Sequence, residues 1–219
     1  SVSCSNGTKP SSRILFKIKL IKRSSKHAVE QILEKNNWSV LDIGCGYAPS
    51  KYANVICDTQ NLENHYKDKK FVQLKDKRLP FEDKKFDFVI ASHVLEHVED
   101  PEFFLNEIQR VSSFGGYIEV PTKLEDNLVF ENKNDHLWHI DFDDDENKLL
   151  ISKKINYLEP VLTVSTIKKL NKYFRKSLVI ELYWEKAINY SIDKNYIDKF
   201  EKFSNFTLFK KFISKKIRS

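Results

Sequence analysis

From residue 38 onward, short apolar runs alternate with charged stretches in which apolar residues recur at helical spacing. Trp38 to Ile43 stops at Gly44 and reads as a buried parallel strand. Asn54 to Cys57 and Phe71 to Leu74 predict a second and a third strand, and Phe86 to Ser92, nearly all apolar after Asp87, a fourth. Pro101 to Val111 sets Phe104, Leu105, Ile108 and Val111 on one helical face. Pro101 lies near the start, where its missing N–H costs nothing. Gly115-Gly116 reads as the end of that unit and Tyr117 to Val120 as a fifth strand. Upstream, His27 to Glu34 reads as a helix with Ala28, Ile32 and Leu33 facing inward. Strands alternating with helical stretches imply a parallel sheet with right-handed crossovers.

The later part is less regular. His136 to Phe142 and Lys148 to Ile155 look like the arms of a hairpin around Asp143-Asp144-Asp145-Glu146-Asn147, a turn that lacks calcium-loop spacing. Ser165 to Phe174 then reads as a helix, and Ser177 to Trp184 and Ile188 to Ile192 as two late strands. From Tyr196 to Ile217 the chain is lysine-rich with Phe at helical spacing. Three units follow: a basic N-terminal segment (1–26), an α/β domain (27–195) with an insert at about 123–160, and a basic amphipathic tail (196–219).

Composition narrows this picture modestly. The 219 residues are 41% hydrophobic and 31% charged, an ordinary globular balance for one α/β domain. No apolar run approaches the roughly 18 residues that span a bilayer. Ile14 to Ile21 is broken by Lys17 and Lys19, so it makes no signal peptide, and a cytoplasmic protein is expected. Cys4, Cys45 and Cys57 form no CxxC pair; Cys45 and Cys57 fall in buried segments, where a thiol acts as a small hydrophobe. The net charge of +6 is concentrated in Lys17 to Lys26 and Lys199 to Arg218. Solvated lysines on amphipathic helices are the preferred reading; weak peripheral association with an anionic membrane is the alternative, ahead of nucleic acid.

The strongest chemical signal is Val40-Leu41-Asp42-Ile43-Gly44-Cys45-Gly46, which holds two of the five glycines. Glycine there lets the backbone turn sharply and a ligand approach closely. Asp42 argues against a pyrophosphate, which a carboxylate would repel, and for a cationic ligand. The segment resembles motif I of class I S-adenosylmethionine (SAM)-dependent methyltransferases. Phe86-Asp87-Phe88-Val89-Ile90-Ala91-Ser92-His93-Val94-Leu95-Glu96-His97-Val98 resembles motif IV of the methyltransferase type 11 group, and Gly-Gly-Tyr-Ile-Glu-Val-Pro follows at the family's separation. Together these cover residues 38 to 122.

The resemblance implies a Rossmann-like, seven-stranded, mostly parallel sheet whose last strand is antiparallel. It implies SAM as cofactor, with Asp42, Gly44, Cys45 and Gly46 around the methionine moiety, Asp58 on the ribose hydroxyls, Asp76 near the adenine, and Ser92 and His93 at the carboxyl edge of the sheet. Two departures stand out. The family's third small residue is Ala48 rather than glycine, with Pro49 directly after it, and the Asp42 to Asp58 gap is short for a full crossover helix, so a clipped turn of helix is expected there. Later features resemble a bacterial subgroup associated with surface-polysaccharide genes, which implies a small-molecule or carbohydrate acceptor methylated at a hydroxyl.

A hydroxyl nucleophile must lose a proton, and a histidine suits that task. His97 is the first candidate base, with His93, His136 and His139 beside it, and the segment from Lys123 through the hairpin as an acceptor lid. His93, Glu96 and His97 with His136 and His139 are also legitimate ligands for a divalent metal, though a metal-free site is expected. The rival functions are an RNA or nucleotide methyltransferase and a catalytically silent SAM-fold scaffold.

Overall fold

The computed structural model describes residues 21–196 and 204–218. Residues 1–20, with Cys4 and with Lys17 and Lys19 of the first basic run, and Phe200 and Phe203 of the tail lie outside the described residues.

In chain order the elements are β1 (Ile21–Arg23), α1 (Lys26–Lys35), β2 (Val40–Ile43), β3 (Val55–Asp58), a short 3-10 turn (Glu63–His65), β4 (Lys70–Gln73) and β5 (Phe86–Ser92). There follow α2 (Pro101–Val111), β6 (Ser112–Pro121), α3 (Lys123–Leu128), α4 (Asn132–Asp135), β7 (Trp138–Asp143), β8 (Lys148–Lys153), α5 (Val164–Leu178), β9 (Val179–Glu185), β10 (Tyr190–Asp193) and α6 (Asn205–Arg218).

The main sheet has seven strands in the order β1-β9-β6-β5-β2-β3-β4. Strands β2 to β6 run parallel, and β9 pairs antiparallel with both β6 and β1. This is the Rossmann-like, mostly parallel α/β sheet that the sequence predicts. The apolar run of β5 explains its central place: Phe88, Val89, Ile90 and Ala91 are all buried, as a strand covered on both faces requires. The ends of α1 and α2 are set locally. Ser25 accepts a hydrogen bond from Ala28 N, and Asp100 accepts one from Phe103 N with Pro101 in the first turn. On α1 the buried residues are Val29 and Leu33, a face turned by one position from the expected one.

Four expectations are revised. The last strand, β10, does not join the main sheet; it pairs parallel with β8 and makes a separate three-stranded sheet with β7. The outer edge of β9 is already occupied by β1, with Ile21 opposite Trp184, and Ile21 is fully buried. A segment expected to precede the domain therefore supplies its seventh strand. Gly115 and Gly116 lie inside β6 rather than closing the unit before it. A Cβ on Gly116 would sit 2.3 Å from Val89 O and 2.8 Å from the Trp184 indole, so glycine is what lets that ring cross the strand. Finally, the first crossover carries turns and not the clipped turn of helix expected there; Ala48 N donates to Cys45 O and Ala53 N to Ser50 O.

Candidate functional site

The chain leaves β2 through Gly44 and Gly46, both in the left-handed region at φ +65° and +48°. A Cβ on Gly44 would lie 2.4 Å from Val94 Cγ2, whereas one on Gly46 would meet nothing within 4 Å. Gly44 thus serves a close approach as well as a turn, and Gly46 the turn alone. Asp58, at the end of β3, ties this loop down: its Oδ2 accepts from Gly46 N at 2.9 Å and its Oδ1 from Gln60 N at 2.9 Å. Thr59 Oγ1 also donates to Oδ1 at 3.5 Å, so the spare lone-pair capacity for a further donor lies chiefly on Oδ2.

These residues border a cavity of about 700 Å³ at the carboxyl edge of the sheet. Gly44, Asp58, Asp76, His93 and His97 line it, with Ile43, Leu74, Leu79, Phe103 and Phe104 as its apolar walls. Lys75 lines it too, beside Asp76. The far wall is held by Arg110, whose guanidinium donates to Leu79 O, Phe81 O and the Glu107 carboxylate, while Glu107 accepts from Leu79 N. Nothing in the motifs pointed to that brace.

Four residues expected at the cofactor stand back from the cavity wall: Asp42, Cys45, Gly46 and Ser92. Asp42 is buried beneath the loop and accepts from Ser50 N at 2.7 Å. Burial pushes its pKa up to about 6, against the Ser50 hydrogen bond and the charges of Lys26 and Lys69. Cys45 donates its N–H to Cys57 O, and burial, with Asp58 and Asp42 nearby, pushes its thiol up to about 12, which makes it inert. Ser92 ends β5 half-buried.

His93 sits at φ +54°, with its N–H on Glu119 O. Its Nδ1 lies 3.3 Å from Glu96 Oε1 and its Nε2 3.2 Å from Glu119 Oε1. Burial lowers its pKa, but hydrogen bonds and charge from Glu119 and Glu96 prevail and raise it to about 10. Glu119 in turn bonds Tyr117 Oη at 2.6 Å and Arg175 Nη2 at 2.7 Å. Arg175 and Tyr117 both reach Glu181. This buried network was not visible in the sequence, because its members are spread over β6, α5 and β9.

The remaining histidines are brought together by backbone stitching. Leu137 N donates to Glu96 O at 2.8 Å and Trp138 Nε1 to Val98 O at 2.8 Å, which docks the start of β7 on the turn after β5. The His97 and His136 rings consequently meet edge to face, 4.5 Å between centroids. His97 is exposed, and its Nδ1 donates to Asp135 O at 3.0 Å. His136 and His139 are buried and do not line the cavity; Asp126 Oδ1 is 2.5 Å from His136 Nδ1, and Asp126 Oδ2 is 3.0 Å from His139 Nδ1. His139 Nε2 donates to Ile155 O at 2.7 Å. These partners and Lys154 hold the Asp126 carboxyl far below the usual range against the effect of its burial. Asp126 thus anchors both histidines, a role with no sequence signal beyond its place before the hairpin.

Residues 41–120 match the family model for a methyltransferase domain. The matched segment runs from β2 to the end of β6 and contains Asp42, Gly44, Asp58, Asp76, His93 and His97, so it holds the residues that line the cavity. An uncharacterized protein of Methanocaldococcus jannaschii is 29% identical over 179 residues, 68% of this chain and 79% of the relative. Among solved structures, a SAM-dependent methyltransferase from Thermotoga maritima, described as a possible histamine N-methyltransferase, is 23% identical with a TM-score of 0.37. It covers 49% of this chain, and the chain spans only 53% of its length. A SAM-dependent methyltransferase from Aquifex aeolicus is 14% identical with a TM-score of 0.40, over 72% of this chain and 89% of its own.

Proposed function

We propose that this chain transfers a methyl group from SAM to a hydroxyl oxygen of a small-molecule or carbohydrate acceptor. The observation that carries the reading is the joining of Gly44, Asp58 and Asp76 with His97 along one cavity of about 700 Å³. That volume falls in the range of small-molecule sites, roughly 300–1,000 Å³. The lining suits the cofactor: the Gly44 turn at the strand end, a carboxylate with spare acceptor capacity for a diol, and apolar walls for a ring. Bound there, SAM supplies a methyl group activated by its sulfonium.

The protein's own tasks are to hold the acceptor in line, to exclude water and to accept a proton. Of the four candidate histidines, His97 is placed for the last task. Its Nδ1 is fixed as a donor by Asp135 O, which leaves Nε2 with a lone pair at the cavity. His93 has a carboxylate at each ring nitrogen, and His136 and His139 are enclosed with Asp126.

The first test is calorimetric titration of S-adenosylhomocysteine into wild type, Asp58→Asn and Asp58→Ala. Hydrogen bonds to a charged group contribute about 1.5–3 kcal/mol each, so losing a pair to the ribose should weaken binding by roughly 100-fold or more in Asp58→Ala. Asp58→Asn, which keeps one carbonyl acceptor, should fall between. Absence of binding by folded wild type would overturn the proposal.

A further inference from the structure

We propose that Glu96, His97 and His136 form a binding site for a divalent transition-metal ion at the acceptor end of the cavity. One ligand atom from each lies within 4.8 Å of the others. Glu96 has 0% exposure. Its Oε1 lies 3.3 Å from His93 Nδ1, a ring shared with Glu119, and its Oε2 has no hydrogen-bond partner among the described residues. A buried carboxylate oxygen without a partner is costly unless a further group satisfies it.

The two histidines are set as metal ligands are usually set. In metal sites an imidazole commonly donates its far N–H to a carbonyl or carboxylate, which fixes the tautomer and aims the other nitrogen. Here His97 Nδ1 is held by Asp135 O at 3.0 Å, and His136 Nδ1 by Asp126 Oδ1 at 2.5 Å. Both Nε2 atoms are thereby left with lone pairs free for a metal. The edge-to-face contact of the two rings keeps them from rotating apart. Lys154 Nζ, 3.3 Å from Asp126 Oδ1, secures the carboxylate that orients His136.

Two imidazoles and one carboxylate suit Zn2+, Fe2+, Co2+ or Mn2+ better than Mg2+ or Ca2+, which prefer all-oxygen shells. Three protein ligands leave coordination positions open. Of the three ligands only His97 lines the cavity, so an open position on the ion would reach the acceptor space beside that ring. An ion there would act as a Lewis acid on an acceptor hydroxyl. His97 Nε2 would then be a ligand and not the base, so this inference revises one role in the methyl-transfer reading while ion binding itself does not depend on that reading.

The test uses Co2+ as probe on chelator-treated full-length protein, followed by visible absorption and calorimetry. Wild type should bind one equivalent with visible ligand-field bands that Zn2+ abolishes. His97→Ala, at an exposed position that leaves the core intact, and Glu96→Gln, which keeps the volume, should each weaken Co2+ binding by at least tenfold. S-adenosylhomocysteine titration of the same variants reads the cofactor half separately. Wild type that takes up less than one equivalent, or equal Co2+ affinity in wild type and both variants, would overturn the metal site whatever the cofactor result.

Discussion

Gly44→Ala should destabilise the protein by a sum of two separable amounts. The residue sits at φ +65°, and an alanine in the left-handed region costs roughly 1–2 kcal/mol. The new Cβ would also fall 2.4 Å from Val94 Cγ2, and forcing an extra carbon into a packed contact costs typically 1–3 kcal/mol. The total is about 2–5 kcal/mol. Val94 is β-branched and so stiff about χ1, which limits relief by rotation. Urea unfolding followed by tryptophan fluorescence would measure the loss. Gly46→Ala supplies the control: at φ +48° with open space around its Cβ, it should show only the backbone part, roughly 1–2 kcal/mol. In a Val94→Ala background the clash is gone, so Gly44→Ala should there cost no more than Gly46→Ala. The cycle should return a coupling of about 1–3 kcal/mol between positions 44 and 94. Additivity within about 0.5 kcal/mol would refute the argument that Val94 is what demands glycine at 44.

Two further predictions concern charge. Asp42 has its pKa raised by burial to about 6, so the folded state favours its neutral form, and the stability this gives is lost as pH rises through about 6. Asp42→Asn, which cannot ionise, should therefore gain on wild type by roughly 2–3 kcal/mol between pH 4 and pH 8 in paired urea titrations, and a difference that stays flat with pH would contradict the burial account. On α6, Phe206, Phe209 and Phe212 are exposed among lysines. The alternative reading of the tail, docking on an anionic membrane, requires that full-length protein co-sediment with phosphatidylserine vesicles and that the combined Phe206→Ser, Phe209→Ser and Phe212→Ser variant do so at least about tenfold more weakly; equal, negligible binding by both would leave solvated lysines as the reading.

The parallel half of the sheet was legible because each strand carries its own signal. Phe86 to Ser92 and Pro101 to Val111 stand where the apolar pattern put them, since a doubly covered strand and an amphipathic helix are local statements. What failed was non-local. Ile21–Arg23 is a strand only because the edge of β9 is free to take it, and a three-residue segment with one buried side chain has no period to detect. The candidate site divides the same way. Gly44, Asp58 and Asp76 were readable from motif and strand end, whereas Asp126, Glu119 and Arg175 earn their places through partners far along the chain. His136 and His139 were expected as candidate bases beside His97, whereas the structure buries them against Asp126, because the docking of β7 on the turn after β5 rests on hydrogen bonds to backbone that no side-chain pattern encodes.

The pairing of β1 with β9 also bears on how the chain is made. During synthesis Ile21 emerges long before Trp184, the residue it will face, so the outer edge of the main sheet stays unsealed until most of the chain has left the ribosome. Contacts between such distant segments close late and slow folding, and an uncovered strand edge in the interval is a template for pairing with other chains. The lysine and arginine of Ile21-Lys22-Arg23, both exposed, put charge on that waiting strand, which keeps it soluble while its partner is still being translated.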